Sequence, residues 1–134
     1  VLGIPHQQYE DIVRAQSEHC LRYAIDGEHG GVYIDGPVDA PTANGHKQFW
    51  QQAEVLIGTL AAVEMFDDDR YWNAFLNVYD FVFDKFVHMP GGGEWFHKVD
   101  RDGTVLEDHL ADDYKVSYHT VRAMIEVVRR LERL

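Results

Sequence analysis

Two short groups of polar and aromatic residues have spacings that bring their side chains to one face of a helix. The first group is Lys115, His119 and Arg122, which are four and three residues apart and project within about 60° of one another on an α-helix. A histidine between two cations, near the start of a helix, is expected to have its charged form disfavoured, which suits a base that works near neutral pH. The alternative is that these residues form the solvated side of an amphipathic helix.

The second group is Lys47, Trp50 and Glu54, a cation, a flat apolar ring and a carboxylate on one helix face. An indole can stack on the C–H face of a sugar ring while the charged groups bind its hydroxyls. The alternative is that Trp50 belongs to the core and that Lys47 pairs with a surface carboxylate. Both groups lie at the start of a predicted inner helix.

Three further histidines lie in predicted loops: His29, His97 and His109. They lack the short spacing that is typical of metal ligands, so we interpret them as surface histidines and expect no structural zinc and no other metal. The glycine run at 91–93 follows a helix and precedes no Lys-Ser/Thr pair, which excludes a phosphate-binding loop.

Four helices are predicted to position these residues, over 7–25, 46–66, 70–88 and 114–134. The second is apolar almost all round, which indicates an inner helix. The turn at 100–103 predicts a β-hairpin between 94–99 and 104–106. The third and fourth helices are expected to bury one stripe each: Trp72, Phe75, Leu76, Tyr79, Val82, Phe83 and Phe86, and Val121, Met124, Ile125, Val128 and Leu131.

The two halves of the chain contain the same parts in the same order. Each has a helix, a glycine pair, a short piece with an aromatic residue, and then a helix that opens with Lys47 or Lys115. Such a unit of two helices is typical of α-solenoids and α/α toroids, in which each hairpin packs on the next. Two units leave open ends, so either another chain covers them or the 134 residues belong to a larger ring.

Composition limits the classes of partner. The 134 residues are 46% apolar, which predicts a single domain spanning 1–134. The net charge of −11 excludes nucleic acid and anionic membrane surfaces as expected partners. No apolar run approaches the roughly 20 residues that cross a bilayer. The single cysteine, Cys20, cannot form an intrachain disulfide, which favours a reducing compartment, and we expect the cytoplasm.

Several motifs together resemble a known family. The motifs are Lys47-x-Phe49-Trp50-x-Gln52-Ala53-Glu54, Gly93-Glu94-Trp95-Phe96, Asp100-x-Asp102-Gly103 and Lys115-x-x-Tyr118-His119-x-x-Arg122-Ala123. With these motifs in this order, the sequence resembles the C-terminal part of the N-acylglucosamine 2-epimerase superfamily, and cellobiose 2-epimerases within it, over nearly its whole length.

The resemblance implies an all-α fold of α/α toroid type, in which this chain supplies four helices, as two αα-hairpins with a small β-hairpin, of an (α/α)6 barrel. It implies proton transfer at sugar C2 without a cofactor. His119 would be one of two acid/base histidines and Trp50 a sugar-stacking ring, and the other expected substrate-binding residues are Glu54, Tyr114, Lys115 and Arg122.

The family's other histidine lies in a His-x-x-Glu motif, which does not occur in these 134 residues. We therefore expect the chain to carry only part of an active site for a small-molecule sugar. Tyr114 stands where cellobiose epimerases have Trp, so monosaccharides, N-acylated sugars and disaccharides all stay open. The alternatives are a noncatalytic helical-repeat module that binds carbohydrate or protein, and a homo-oligomer in which three copies complete one ring.

Overall fold

The computed structural model describes residues 6–134. As predicted, they form four α-helices. Helices α2 and α4 begin three and four residues later than predicted, because the residues before them adopt strand or turn backbone. α1 and α3 each continue into one π-helical turn, Cys20–Ala24 and Val82–Phe86. The helices are α1 His6–His19, α2 Phe49–Phe66, α3 Asp69–Phe81 and α4 Tyr118–Leu131.

Five short strands connect the helices: β1 Lys47–Gln48, β2 Val87–His88, β3 Glu94–Trp95, β4 Lys98–Val99 and β5 Val105–Glu107. β4 pairs with both β1 and β5, and β2 pairs with β3, all antiparallel. The predicted hairpin is thus confirmed for β4 and β5, which turn at Gly103 with a φ of 94°. The prediction that it begins at residue 94 is wrong, since Glu94 and Trp95 pair with β2.

Helix α2 lies at the centre of the fold and packs against α1, α3 and α4. Its side chains Ala53, Leu56 and Leu60 are completely buried. This confirms the prediction of an inner helix. Because burial of each leucine contributes roughly 1.5–3 kcal/mol, α2 organises the core around which the other helices pack.

Helix α3 buries a different side from the predicted one. Phe75, Val82 and Phe86 are buried as expected, but Leu76 and Phe83 are exposed. Asn77, on the same helix, accepts a hydrogen bond from the Gly31 amide and donates one to the Asp26 carbonyl. These buried backbone groups need partners, so the helix turns Asn77 toward the loop that follows α1.

Helix α4 also packs on an unexpected side. Its buried residues are Thr120, Ala123 and Val127, whose small side chains allow a close approach to α2. The prediction that the apolar stripe of α4 is its buried face is therefore wrong. Met124 packs against the core, whereas the other members are exposed in the described chain: Val121, Ile125, Val128 and Leu131.

Two buried lysines occupy equivalent places in the two halves. The ammonium of Lys47 lies 3.0 Å from the Asp26 carboxylate and donates to the carbonyls of Gly30 and Arg101. The ammonium of Lys115 lies 3.1 Å from Glu94 and donates to the Leu110 carbonyl. Both lysines are completely buried. The repeat predicted from the sequence thus includes an ion pair that fixes a connecting loop in each half.

The glycine pairs match as well. Gly30 and Gly31 have φ values of 86° and 78°, and Gly92 and Gly93 have values of 79° and 84°. This left-handed backbone favours glycine. Side by side, the two halves form the α/α units expected of a toroid. In the described residues, no helix combines the length and apolarity that crossing a bilayer requires.

Candidate active site

His119 lies in the first turn of α4 and faces Glu54 of α2. Its Nδ1 atom is 2.8 Å from Oε1 of Glu54. An ionised carboxylate only accepts hydrogen bonds, so the proton of a neutral His119 must be on Nδ1. The Nε2 atom then has a free lone pair, which is the form a general base requires.

Glu54 is held in place from a second direction by Arg122, whose Nη2 donates to the same Oε1 atom. Burial raises the pKa of Glu54, but the hydrogen bonds from Arg122 and His119 outweigh burial, and the net pKa is lowered. Glu54 is therefore ionised at neutral pH. The expectation that His119 lies between two cations is wrong, because the charged group bonded to its ring is this carboxylate.

An aromatic cavity of about 540 Å³ adjoins His119. The ring centroids of Trp50 and His119 are 6.1 Å apart, and those of Phe49 and His119 are 6.2 Å apart. Trp50 is 42% exposed, so its indole is available to a ligand. The recess thus joins the imidazole of His119 and the indole of Trp50. Its lining is Gln48, Phe49, Trp50, His97, Tyr114 and His119.

The structure distributes the remaining candidates differently from the sequence-based expectation. Tyr114 lines the cavity and is 91% exposed. Glu54 and Arg122 do not line it and instead contact His119 or its partner. Lys115 does not line the cavity: it precedes α4 and its ammonium is buried against Glu94. Helical periodicity predicted that Lys115 shares a helix face with His119, but α4 begins only at Tyr118. The spacing of residues does not show where a helix begins.

Lys47 requires the same correction as Lys115. It lies in β1, outside α2, and its ammonium is bonded to Asp26, away from the cavity that Trp50 lines. The group of Lys47, Trp50 and Glu54 is therefore not a common sugar-binding face.

Sequence reasoning did not place His97 or Gln48 in the cavity, although both line it. Burial lowers the pKa of His97, and the neighbouring His109 lowers it further, so its neutral form prevails at neutral pH. The interpretation of His97 as an isolated surface histidine is wrong, because its ring lies 5.4 Å from Phe49 and 4.4 Å from His109. Ligand atoms of His97, Glu107 and His109 lie within 4.8 Å of one another. The predicted hairpin contained part of the signal, since His97 lies in its first segment and Glu107 directly follows its second.

Comparisons with known sequences point to one family. A family model described as N-acylglucosamine 2-epimerase matches residues 5–123. A cellobiose 2-epimerase from Eubacterium cellulosolvens is 30% identical over 84% of this chain and 27% of its own length. A D-mannose isomerase from Marinomonas mediterranea is 24% identical over 84% of this chain and 28% of its own length. The chain thus spans just over a quarter of these relatives.

Solved structures agree on the fold. The cellobiose 2-epimerase from Spirochaeta thermophila superimposes with a TM-score of 0.67 at 29% identity, covering 92% of this chain and 29% of that one. A D-mannose isomerase gives a TM-score of 0.75 at 22% identity, covering 84% and 28%. The family model, the relatives and the shared α/α architecture lead to one conclusion: this chain is a member of the N-acylglucosamine 2-epimerase family.

Proposed function

We propose that this chain supplies an acid/base histidine and an aromatic wall to a site that moves a proton at C2 of a sugar, in 2-epimerisation or aldose–ketose isomerisation. The observation that carries the proposal is the 2.8 Å contact between Nδ1 of His119 and Glu54, beside a cavity that His119 shares with Trp50. Membership of a family whose named relatives include epimerases and an isomerase supports it.

The chemistry follows from the tautomer of His119. Its Nε2 accepts the C2 proton of the open-chain sugar, and the C–H electron pair becomes the double bond of an enediolate. Return of a proton to C1, together with transfer of the O2 hydroxyl proton to O1, gives isomerisation, and a single base can perform the C2-to-C1 transfer. Return to the opposite face of C2 gives the epimer and needs a second acid. Trp50 would stack on the sugar and hold it at the mouth of the cavity.

The substrate class is a sugar with a free reducing end, because the C2 proton is acidic only beside the C1 carbonyl. The named relatives act on cellobiose, on D-mannose and on N-acylglucosamine. Tyr114 lines the cavity and is exposed, so its ring is available to a second sugar ring. We therefore propose that the same site accepts a mono- or disaccharide.

A second candidate function is sugar binding without turnover. It is favoured by the sequence, which contains no His-x-x-Glu motif to supply the second acid/base group. In this case the cavity beside Trp50 binds the sugar, and completion of the reaction depends on residues beyond these 134. Further copies of the chain that complete a ring would be one source of such residues. The mass of the assembly in solution measures whether such copies associate.

Deuterium exchange distinguishes the two candidates. The 134-residue chain is incubated in D2O with D-mannose, N-acetylglucosamine or cellobiose, and proton NMR follows the C2 signal while saturation transfer reports binding. Catalysis predicts exchange that His119→Ala lowers by roughly 10² to 10⁴-fold, with His29→Ala as the control outside the cavity. Binding without exchange supports the second candidate, and failure to bind any of the three sugars contradicts both.

The cytoplasm is our proposed compartment, on the basis of a single thiol. Burial raises the pKa of Cys20 to about 11, so the thiolate is scarce at neutral pH and the residue is chemically quiet. Such a partly buried cysteine, the single one in these 134 residues, suits a reducing environment.

A further inference from the structure

A second cluster of functional groups lies at the base of the hairpin formed by β4 and β5. His97 directly precedes β4 and Glu107 ends β5, and the His97 amide donates to the Glu107 carbonyl over 3.1 Å. His109 follows two residues later. The backbone pairing of the hairpin therefore brings His97 close to a carboxylate and an imidazole that lie 10 and 12 positions later in the sequence.

The distances within this cluster suit one small cation. Nε2 of His97 is 3.7 Å from Oε2 of Glu107, and one ligand atom from each of His97, Glu107 and His109 falls within a 4.8 Å span. Tetrahedral zinc with bonds of about 2.0–2.2 Å separates its ligand atoms by about 3.3 Å. The donors thus need to approach one another by about 1.5 Å at most, which side-chain rotation provides.

Asp112 provides the support that a metal-bound imidazole needs. Its Oδ2 lies 3.5 Å from Nδ1 of His97 and 2.7 Å from Nε2 of His109. Its other oxygen, Oδ1, accepts hydrogen bonds of 2.6 Å from the amides of Tyr114 and Lys115, which fix the carboxylate. Metal-binding histidines commonly donate their other nitrogen to a carboxylate in this way.

One atom of the cluster lacks a hydrogen-bond partner among the described residues. Nδ1 of His97 is buried and makes no hydrogen bond, since its approach to Asp112 does not meet the geometry of one. Leaving a buried polar atom unpaired costs about 1–3 kcal/mol. A cation on Nε2 would draw electron density from the ring and strengthen the Nδ1–H as a donor to Asp112, which relieves this cost.

We propose that His97, Glu107 and His109 form a binding site for a divalent transition-metal ion, with zinc as the expected occupant and Asp112 as its supporting carboxylate. Two imidazoles and one carboxylate are a donor set that zinc accepts, with the remaining position left to water. This reverses the expectation from spacing alone that the chain has no metal site. The proposal does not depend on the proposed function, although His97 also lines the cavity beside His119.

Calorimetry with zinc alone tests the site. The 134-residue chain is stripped with EDTA, dialysed into a non-chelating buffer and titrated with ZnCl2. One equivalent is expected to bind, and His109→Ala and Glu107→Gln should each weaken the affinity at least tenfold, the usual scale for losing a ligand or its support. Both side chains are more than a third exposed, so these variants are expected to fold, and far-UV circular dichroism checks it.

His29→Ala is the matched control, because His29 also lies beside two carboxylates, Asp26 and Glu28, but among the described residues it belongs to no group that could hold a metal ion. The His29→Ala variant should bind zinc with the same affinity as the unchanged chain. Binding of Co²⁺ with an absorption spectrum that disappears in His109→Ala would be an independent sign of imidazole ligation. Absence of zinc binding at millimolar concentration, or equal losses in His29→Ala and His109→Ala, overturns the proposal.

Discussion

The imidazole of His119 and the carboxylate of Glu54 are joined by a 2.8 Å contact between residues 65 positions apart in the chain. The contact connects α4 to α2, so each half of the repeat supplies one partner. Because Arg122 binds the same oxygen of Glu54, the carboxylate is fixed and in turn fixes the ring. The orientation of the candidate base is therefore a consequence of how the two helices pack.

Glu54→Gln tests this relationship. An amide can either donate or accept, so the preference for a proton on Nδ1 of His119 is lost. We expect the nitrogen NMR shifts of His119 to change from the Nδ1–H tautomer toward a mixture. Any C2 exchange that the protein supports should fall about 10- to 100-fold, the range seen when partners that orient an imidazole are removed.

The control for Glu54→Gln is Glu64→Gln, the same substitution on the same helix. Glu64 also pairs with an α4 arginine, Arg130, but does not contact His119. If the two variants have the same histidine spectra and the same exchange rates, Glu54 does not orient the base.

Trp50→Ala tests the aromatic wall. Loss of the indole should weaken sugar binding by about 1 kcal/mol, or roughly fivefold in Kd, because a flat aromatic face is replaced by a methyl group. Trp50→Phe keeps a ring at the same position and should recover most of the affinity. Calorimetric titration with the sugar that gives the strongest saturation-transfer signal measures both variants. Equal affinities for the Ala and Phe variants would exclude stacking.

The features that could be predicted from the sequence are those that depend on the periodicity of side chains and on the order of motifs. The number of helices, the inner position of α2 and the neighbourhood of Trp50 and His119 follow from side-chain patterns along the chain. The positions of Lys47 and Lys115 do not, because a buried ammonium is stabilised by a carboxylate and by carbonyls that only the folded chain brings near. A lysine at helical spacing looks the same in the sequence whether it is exposed or buried.

His97 shows a second kind of limit. Its partners Glu107 and His109 lie across a hairpin, and motif spacing for metal ligands is usually read over a few residues. The hairpin was predictable, but its register was not, since β3 pairs with β2 and only two residues of β4 continue toward β5. A cluster that depends on register needs the structure.

Asp26→Asn is expected to destabilise the fold by about 3–5 kcal/mol at neutral pH, because it leaves the buried ammonium of Lys47 without its opposite charge. The asparagine keeps the oxygen that accepts from the amides of Glu28 and His29, so the loss reports the ion pair. Urea unfolding measures it. Adding Lys47→Met to the variant should recover part of the stability, and an unchanged deficit in the double variant would mean that the loop, not the charge, is responsible.

The ion pair between Asp26 and Lys47 should also make the free energy of unfolding depend on pH. Burial raises the pKa of Asp26, but hydrogen bonds from the His29 amide, Lys47 and the Glu28 amide more than offset this, so the pKa falls from 3.8 to about 2. A carboxyl whose pKa is lower in the folded state stabilises the fold above its unfolded pKa, and this contribution is lost as the pH falls toward 2.

Because a tenfold change in proton affinity corresponds to about 1.4 kcal/mol, the contribution of Asp26 amounts to about 2 kcal/mol. The difference in unfolding free energy between the unchanged chain and Asp26→Asn should therefore shrink by about this amount between pH 5 and pH 2, with Asp39→Asn, in an exposed loop, as the control substitution. A difference that stays constant over this range would show that Asp26 has an ordinary pKa and that its pairing with Lys47 adds no pH-dependent stability.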